Sequence, residues 1–280
     1  MALSAGNPDL KPETATTKTL GLDWDLPLPM KTKLSLTWFD IVYDNQITGY
    51  LSDLTILGRE AQFAGTGIIV RNPSAELIAQ MLAQYPLGNA NVPTAAQGWT
   101  LFVDGRNKNL ARSITKGVDF SLQSRLPGTA LGDFVFALNG TVFNKYQVAL
   151  TPASPLLDQL NTIFNPLKFK ARTSVQWTHG PWQANLAWNR SGAYDNTLVT
   201  PTQRVRAHDT IDLRMALALG DVSTLGMLKD TVLVLGATNL ADRKPPYVNL
   251  APGSNGGGGF DPSAASPLGR VVTVGLDKRF

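Results

Sequence analysis

The stretch LKFKARTSVQWTHGPWQANLAW, residues 167–188, decides how the fold is read. Leu167, Phe169, Ala171, Thr173, Val175 and Trp177 alternate with Lys168, Lys170, Arg172, Ser174 and Gln176. A tight turn at His179-Gly180-Pro181 follows, and Trp182, Ala184, Leu186 and Trp188 then alternate with Gln183, Asn185 and Asn189. Successive side chains of a strand point to opposite faces, so this is a hairpin with one apolar and one polar side.

The same period of two recurs on both sides of it. Leu20, Leu22, Trp24 and Leu26 oppose Thr19, Gly21, Asp23 and Asp25; after Pro27–Met30, Leu34, Leu36 and Trp38 oppose Lys33, Ser35 and Thr37. The parity changes at Phe39 to Tyr43, which predicts a bulge or a rise beyond the apolar layer. Val118, Phe120 and Leu122 oppose Gly117, Asp119 and Ser121, and Phe134, Phe136 and Leu138 follow the turn Pro127–Asp133. Ile211 to Leu219, Thr231 to Asn239 and Arg270 to Phe280 complete about nine strands.

Connections alternate in length. Pro27–Met30, Pro127–Asp133, His179–Pro181 and Gly220–Asp230 are short, whereas Leu51–Trp99, Ala149–Pro166, Asp195–Gln203 and Ala241–Gly269 are long. Outer-membrane barrels sort their connections this way, with tight periplasmic turns and long extracellular loops. Tryptophans follow suit: Trp24, Trp177 and Trp182 lie near short turns, and Trp38 and Trp188 lie further up the strands, as two aromatic girdles require.

Composition agrees. Charged residues are 16% of the chain, against about 25% in soluble domains, and mean hydropathy is −0.05. No stretch approaches the roughly 18 consecutive apolar residues of a membrane-spanning helix. The fold class is therefore all-β, an antiparallel transmembrane β-barrel segment in the outer membrane of a Gram-negative bacterium, with lipid and lipopolysaccharide as its surroundings. Nine antiparallel strands do not close, because the first and last would run parallel, and open edges in hydrocarbon strand backbone polar groups. Further strands are expected before this segment. Met1 to Gly6 carry no secretory signal, so either the chain is mature or its front is missing.

The absence of cysteine excludes disulfides and thiolate chemistry, and two distant histidines argue against a metal centre. Basic residues are scattered singly, so the formal charge of +4 does not imply nucleic acid. Inside the long connection after Leu51, Asn72 is a candidate cap and Pro73 the first residue of a helix whose stripe is Leu77, Ile78, Met81, Leu82 and Tyr85. That stripe is expected to dock on the barrel rim.

Several motifs carry a family resemblance. "GNPDLKPE" (Gly6–Glu13), "LTWFDIVYDNQI" (Leu36–Ile47), "TKGVDFSL" (Thr115–Leu122), "NLADRKPPYV" (Asn239–Val248), "FDPSAASPLGR" (Phe260–Arg270) and the terminal "VGLDKRF" resemble, in order, late strands of TonB-dependent receptors. The resemblance implies that residues 1–280 are the C-terminal part of a plugged barrel of about 22 strands. The plug domain and the TonB box are absent from this sequence, so contact with TonB would run through an N-terminal plug lying outside it. It further implies uptake of a scarce small molecule such as a siderophore complex or an oligosaccharide. The last strand, with Val272, Val274, Leu276 and Phe280, resembles the family's signal to the barrel-assembly machinery. Alternatives are a self-contained small porin or an outer-membrane hydrolase.

Candidate ligand contacts are few. If alternation holds through the segment, Arg204, Arg206, His208 and Thr210 share a lumen face suited to an anion or a lipopolysaccharide phosphate. Lys168, Lys170 and Arg172 form a second basic row, suited to steering an anionic chelate or simply to keeping the lumen polar. Trp99, Phe102, Tyr194, Tyr247 and Phe260 are loop aromatics that stack on a ligand or pack the loops. His208 and Asp209 are strand neighbours on opposite faces and make no catalytic pair. Gly256–Gly259 follows no strand-to-helix turn and is not a phosphate cradle. No catalytic residue, metal or cofactor is expected.

Overall fold

The computed structural model describes residues 1–51, 54–85, 99–250 and 258–279. Nine long strands dominate: β1 (Thr14–Leu26), β2 (Lys31–Thr48), β3 (Lys108–Thr129), β4 (Gly132–Ala149), β5 (Phe169–His179), β6 (Trp182–Ser191), β7 (His208–Ala218), β8 (Thr231–Thr238) and β9 (Val271–Lys278). They lie in one sheet in sequence order, β1 at one end and β9 at the other. The turns are shorter than the sequence implies at one place: β3 runs on to Thr129 and β4 restarts at Gly132, where a φ of 104° favours glycine.

Two compact units make up the chain. The larger (Lys18–Asp40, Thr115–Tyr146, Gln159–Phe280) holds most of the sheet. Its register lines up apolar rows strand by strand. Phe134 pairs with Trp177, Trp177 with Ala184, Ala184 with Met215, Met215 with Leu235 and Leu235 with Val274. One step on, Gln176, Asn185, Arg214, Gly236 and Thr273 form a polar row on the other face. Among the described residues no protein layer covers the apolar face: Leu22, Trp24, Leu186, Trp188, Leu235 and Val274 are all exposed, Val274 to 71%. A water-soluble sheet buries that face. Here each inner strand hydrogen-bonds to a neighbour on both sides while the apolar side chains face outward, which is the arrangement hydrocarbon demands.

Where the sequence predicts a bulge or a rise beyond the apolar layer, the strand carries a ring packed on its polar face at Phe39, and further on Asn45 takes a left-handed φ of 57°. β2 continues unbroken to Thr48, and Phe39, 9% exposed, meets Phe143 edge-on with ring centroids 5.8 Å apart. A Cβ built on Gly117 would lie 2.6 Å from Phe39 Cζ, so the ring occupies space left by a missing side chain. Phe39 is an apolar residue on the polar face, and that is why the period slips.

The smaller unit (Met1–Thr17, Ile41–Ile114, Gln147–Asp158) has cores of its own. Tyr50, Ile56, Phe63, Ile68 and Val103 form one, with Tyr50 and Phe63 edge-to-face at 5.6 Å. The helix α1 (Ala75–Gln84) forms at the expected place, but its cap is Ser74, whose Oγ accepts from Leu77 N at 3.2 Å. Asn72 instead takes a left-handed φ of 47°. The buried Ile78 and Met81 pack with Leu3 and Phe102. They rest on a three-stranded sheet in the order Ala2–Leu3, Leu101–Asp104, Ile69–Arg71, built from segments too short to show a period of two.

Candidate functional site

On the polar face of the larger unit, β5, β6 and β7 bring charged and amide side chains together. Register sets Asn139, Arg172, Asn189 and Thr210 in one row and Thr141, Lys170, Ser191 and His208 in the next. Arg172 Nη1 lies 3.0 Å from Asp212 Oδ2. Asn189 Nδ2 donates to the same oxygen at 2.8 Å and to Thr210 Oγ1 at 3.2 Å. The other carboxylate oxygen of Asp212 accepts from Asn239 N at 3.0 Å. Lys170 Nζ donates to Ser263 O at 3.3 Å, and Ser191 Oγ to Ala264 O at 3.1 Å. Beside these contacts lies a recess lined by Asn189, Ser191, His208, Thr210 and Asn239. Amides, hydroxyls and an imidazole with cations nearby offer hydrogen bonds to a polar or anionic molecule, and nothing there is arranged as a nucleophile with its base.

The predicted cluster around His208 comes together only in part. His208 and Thr210 share the recess. Residues 206–207 leave strand geometry, so alternation does not carry through to Arg204. That residue sits in a separate hairpin pairing Gln203–Val205 with Tyr194–Asn196, its guanidinium 2.9 Å from Asp195. Arg206 is exposed between the two. His208 and Asp209 do face apart: Asp209 pairs with Arg190 at 3.2 Å, and that guanidinium lies 6.0 Å from the Trp188 ring.

Lys168, Lys170 and Arg172 are all exposed, Arg172 already committed to Asp212. Lys168 has its backbone N–H held by Asn161 Oδ1 at 3.0 Å. The aromatic candidates divide. Tyr194, 3% exposed, is packed among Ile163, Leu167, Val205 and Val248, and burial, aided by the Asp261 carboxylate, pushes its phenol well above the usual tyrosine range. Trp99 packs against the Leu3 and Ile78 cluster, and Phe102 is buried in it. These three hold loops together, whereas Tyr247 is 75% exposed and free to stack. Val272, Val274 and Leu276 line the apolar face of β9 at 67%, 71% and 67% exposure. Phe280, Gly256 and Gly257 lie outside the described residues.

Sequence reasoning missed two groups. Asp212 and Asn189 become a hub only once the register of three strands is known. In the smaller unit, Asp104, 3% exposed, pairs with Arg106 at 2.9 Å and Lys108 at 3.0 Å, and Arg106 donates to the Tyr85 hydroxyl at 3.1 Å. The D-x-R-x-K spacing was its signal.

The description "TonB dependent receptor-like, beta-barrel" belongs to a family model that matches residues 1–240. No curated protein matches the chain. Among solved structures, a mutant ferric enterobactin receptor (PfeA) from Pseudomonas aeruginosa in complex with enterobactin is similar at 15% identity and a TM-score of 0.57, over 97% of this chain and 32% of that one. The siderophore receptor PirA from Acinetobacter baumannii is similar at 18% identity and 0.54, over 97% and 32%. The outer membrane transporter YddB from Escherichia coli is similar at 14% and 0.56, over 98% and 33%. The chain thus spans about a third of the length of the solved structures it matches.

Proposed function

The chain belongs to the TonB-dependent receptor β-barrel family, and on that premise we propose that it forms part of the wall of an outer-membrane receptor that takes up a scarce small molecule, a siderophore complex before an oligosaccharide. The observation that carries the proposal is the outward apolar face of β4 to β9, uncovered by any of the described residues and backed by a polar, charge-paired face. Such a sheet is stable where lipid meets one side and a wet lumen the other.

Among the described residues, the outer edges of β1 and β9 pair with no other strand. Unpaired edges in hydrocarbon cost several kcal/mol per group, so further strands close the barrel. Energy for uptake would come through TonB and a plug inside the complete barrel. The ligand would meet the polar recess by His208 and the ammonium groups of Lys168 and Lys170. A siderophore is preferred because these groups suit an anionic chelate, and because two of the similar structures are siderophore receptors.

The test is uptake of radiolabelled iron supplied as a panel of ferric siderophores to iron-starved cells, with and without the gene. Loss of uptake for one chelate in the deletion strain, matched by loss in a strain lacking TonB, is expected. Unchanged iron uptake across the panel, with impaired growth on an oligosaccharide, would replace the substrate class. Activity without TonB would overturn the receptor reading.

A further inference from the structure

The connection between β7 and β8, residues 219–230, is the longest at the short-turn end and carries three exposed apolar side chains. Val222, Leu225 and Met227 are exposed to 52%, 59% and 77%. A connection in water places such side chains inward or does without them, so three on one turn need a partner.

Three observations say what that partner is. Register puts Trp182 beside Leu217, two residues before the turn begins at Leu219, so the turn starts just beyond a girdle tryptophan. Second, the turn leans to the lipid-facing side. Lys278 follows Leu276 by two on β9 and so shares its apolar face. Its ammonium donates to Met227 O at 3.0 Å and Lys229 O at 2.5 Å, drawing the turn toward that face. Third, Lys229 follows Met227 by two residues and Lys278 bonds the Met227 carbonyl, so two cations flank the most exposed apolar side chain of the turn, while Arg279 lines a recess with the carboxylates Asp221, Asp230 and Asp277. Apolar tips flanked by cations match the boundary between acyl chains and anionic headgroups.

We propose that residues 219–230 anchor the barrel in the phospholipid leaflet at its short-turn end, with Leu225 and Met227 inserted about 5–10 Å into the headgroup boundary and Lys229 held at phosphate level. The inference rests on the outer-membrane reading above. It adds that a turn, as well as the strands, is a lipid-binding element.

The chain contains no cysteine, so a single introduced thiol reports one place. Met227→Cys, Thr224→Cys and Leu235→Cys are each spin-labelled in the protein in its native outer membrane, and collisions with oxygen and with a water-soluble nickel chelate are compared. Oxygen-dominated collisions at 227, intermediate between those at the belt position 235 and at 224, are expected. Adding Lys278→Gln shifts the label at 227 toward the nickel chelate. Nickel-dominated collisions at 227 with a lipid-like 235 overturn the anchor and leave the barrel standing. Shielding of 227 from both reagents also overturns it, in favour of a protein partner. Nickel-dominated collisions at 235 sink the outer-membrane reading itself.

Discussion

Arg172 on β5 and Asp212 on β7 meet across the intervening strand, guanidinium to carboxylate at 3.0 Å, with Asn189 of β6 donating to the same oxygen. One carboxylate thereby ties three strands, and through Asn239 N the end of a fourth. Asp212→Ala removes the charge partner of Arg172 and the acceptor of Asn239 N, leaving Arg172 its bond to Asn189 Oδ1 and Asn189 its bond to Thr210. Because the pair is partly solvated, the loss is on the order of 1–2 kcal/mol, and Asp212→Asn, which keeps an acceptor, loses less. Urea unfolding of the barrel in detergent measures the order Ala below Asn below native. Equal stability of all three would mean that the hub holds nothing.

Gly140 is a second point where strands depend on one residue. A Cβ there would lie 2.5 Å from Lys170 O and 2.7 Å from Phe120 Cζ. The carbonyl is part of the β4–β5 ladder and cannot swing away. Gly140→Ala is therefore expected to destabilise by about 1–3 kcal/mol, read as a lower temperature for loss of heat-modifiable migration. Gly128→Ala, with open space but a positive φ, is expected to cost only about 1 kcal/mol.

Acid sensitivity is expected in the segment around Asp104. Burial pushes its carboxyl up, but hydrogen bonds from the side chains of Arg106 and Lys108 and from the Arg106 backbone outweigh burial and hold it below its ordinary 3.8. A carboxyl depressed by folding adds stability that is complete above its unfolded value and lost as pH falls through its folded one. Protection of residues 101–108 from hydrogen exchange should thus be flat near neutrality and decline below about pH 4. Asp104→Asn lowers protection at neutral pH by about 2 kcal/mol and flattens the acid decline. The same decline in the variant would assign the acid response to another group.

Lys168 and Lys170 are exposed cations on the ligand side of the proposal. Replacing both with alanine should weaken an anionic chelate roughly three- to tenfold, with a smaller salt dependence. A neutral ligand should bind unchanged. Equal weakening of charged and neutral ligands would point to damage to the loops.

The sheet was legible because period-two alternation is a direct consequence of strand geometry, and one apolar and one polar face keep that alternation clean along β5, β6 and β7. It failed where tertiary contact overrode it. Phe39 fills the space over Gly117, and residues 206–207 break the strand between Arg204 and His208. The helix was readable from its stripe, but its cap moved to Ser74 because Asn72 was taken by a left-handed turn. Short strands such as Ile69–Arg71 left no trace, since three residues cannot display a period. The site was less legible than the fold. Tyr194 is as consistent with packing as with stacking until its neighbours Ile163 and Val248 are placed around it, and Asp212 gains its role only through register.

The central claim is that lipid covers the apolar face, and a photoactivatable phospholipid in native outer membranes tests it directly. After illumination, mass spectrometry should find adducts on Leu186, Trp188, Leu213, Leu235 and Val274 and none on Asn185, Asn189 or Arg214. Adducts on both sets, or on neither, would contradict it.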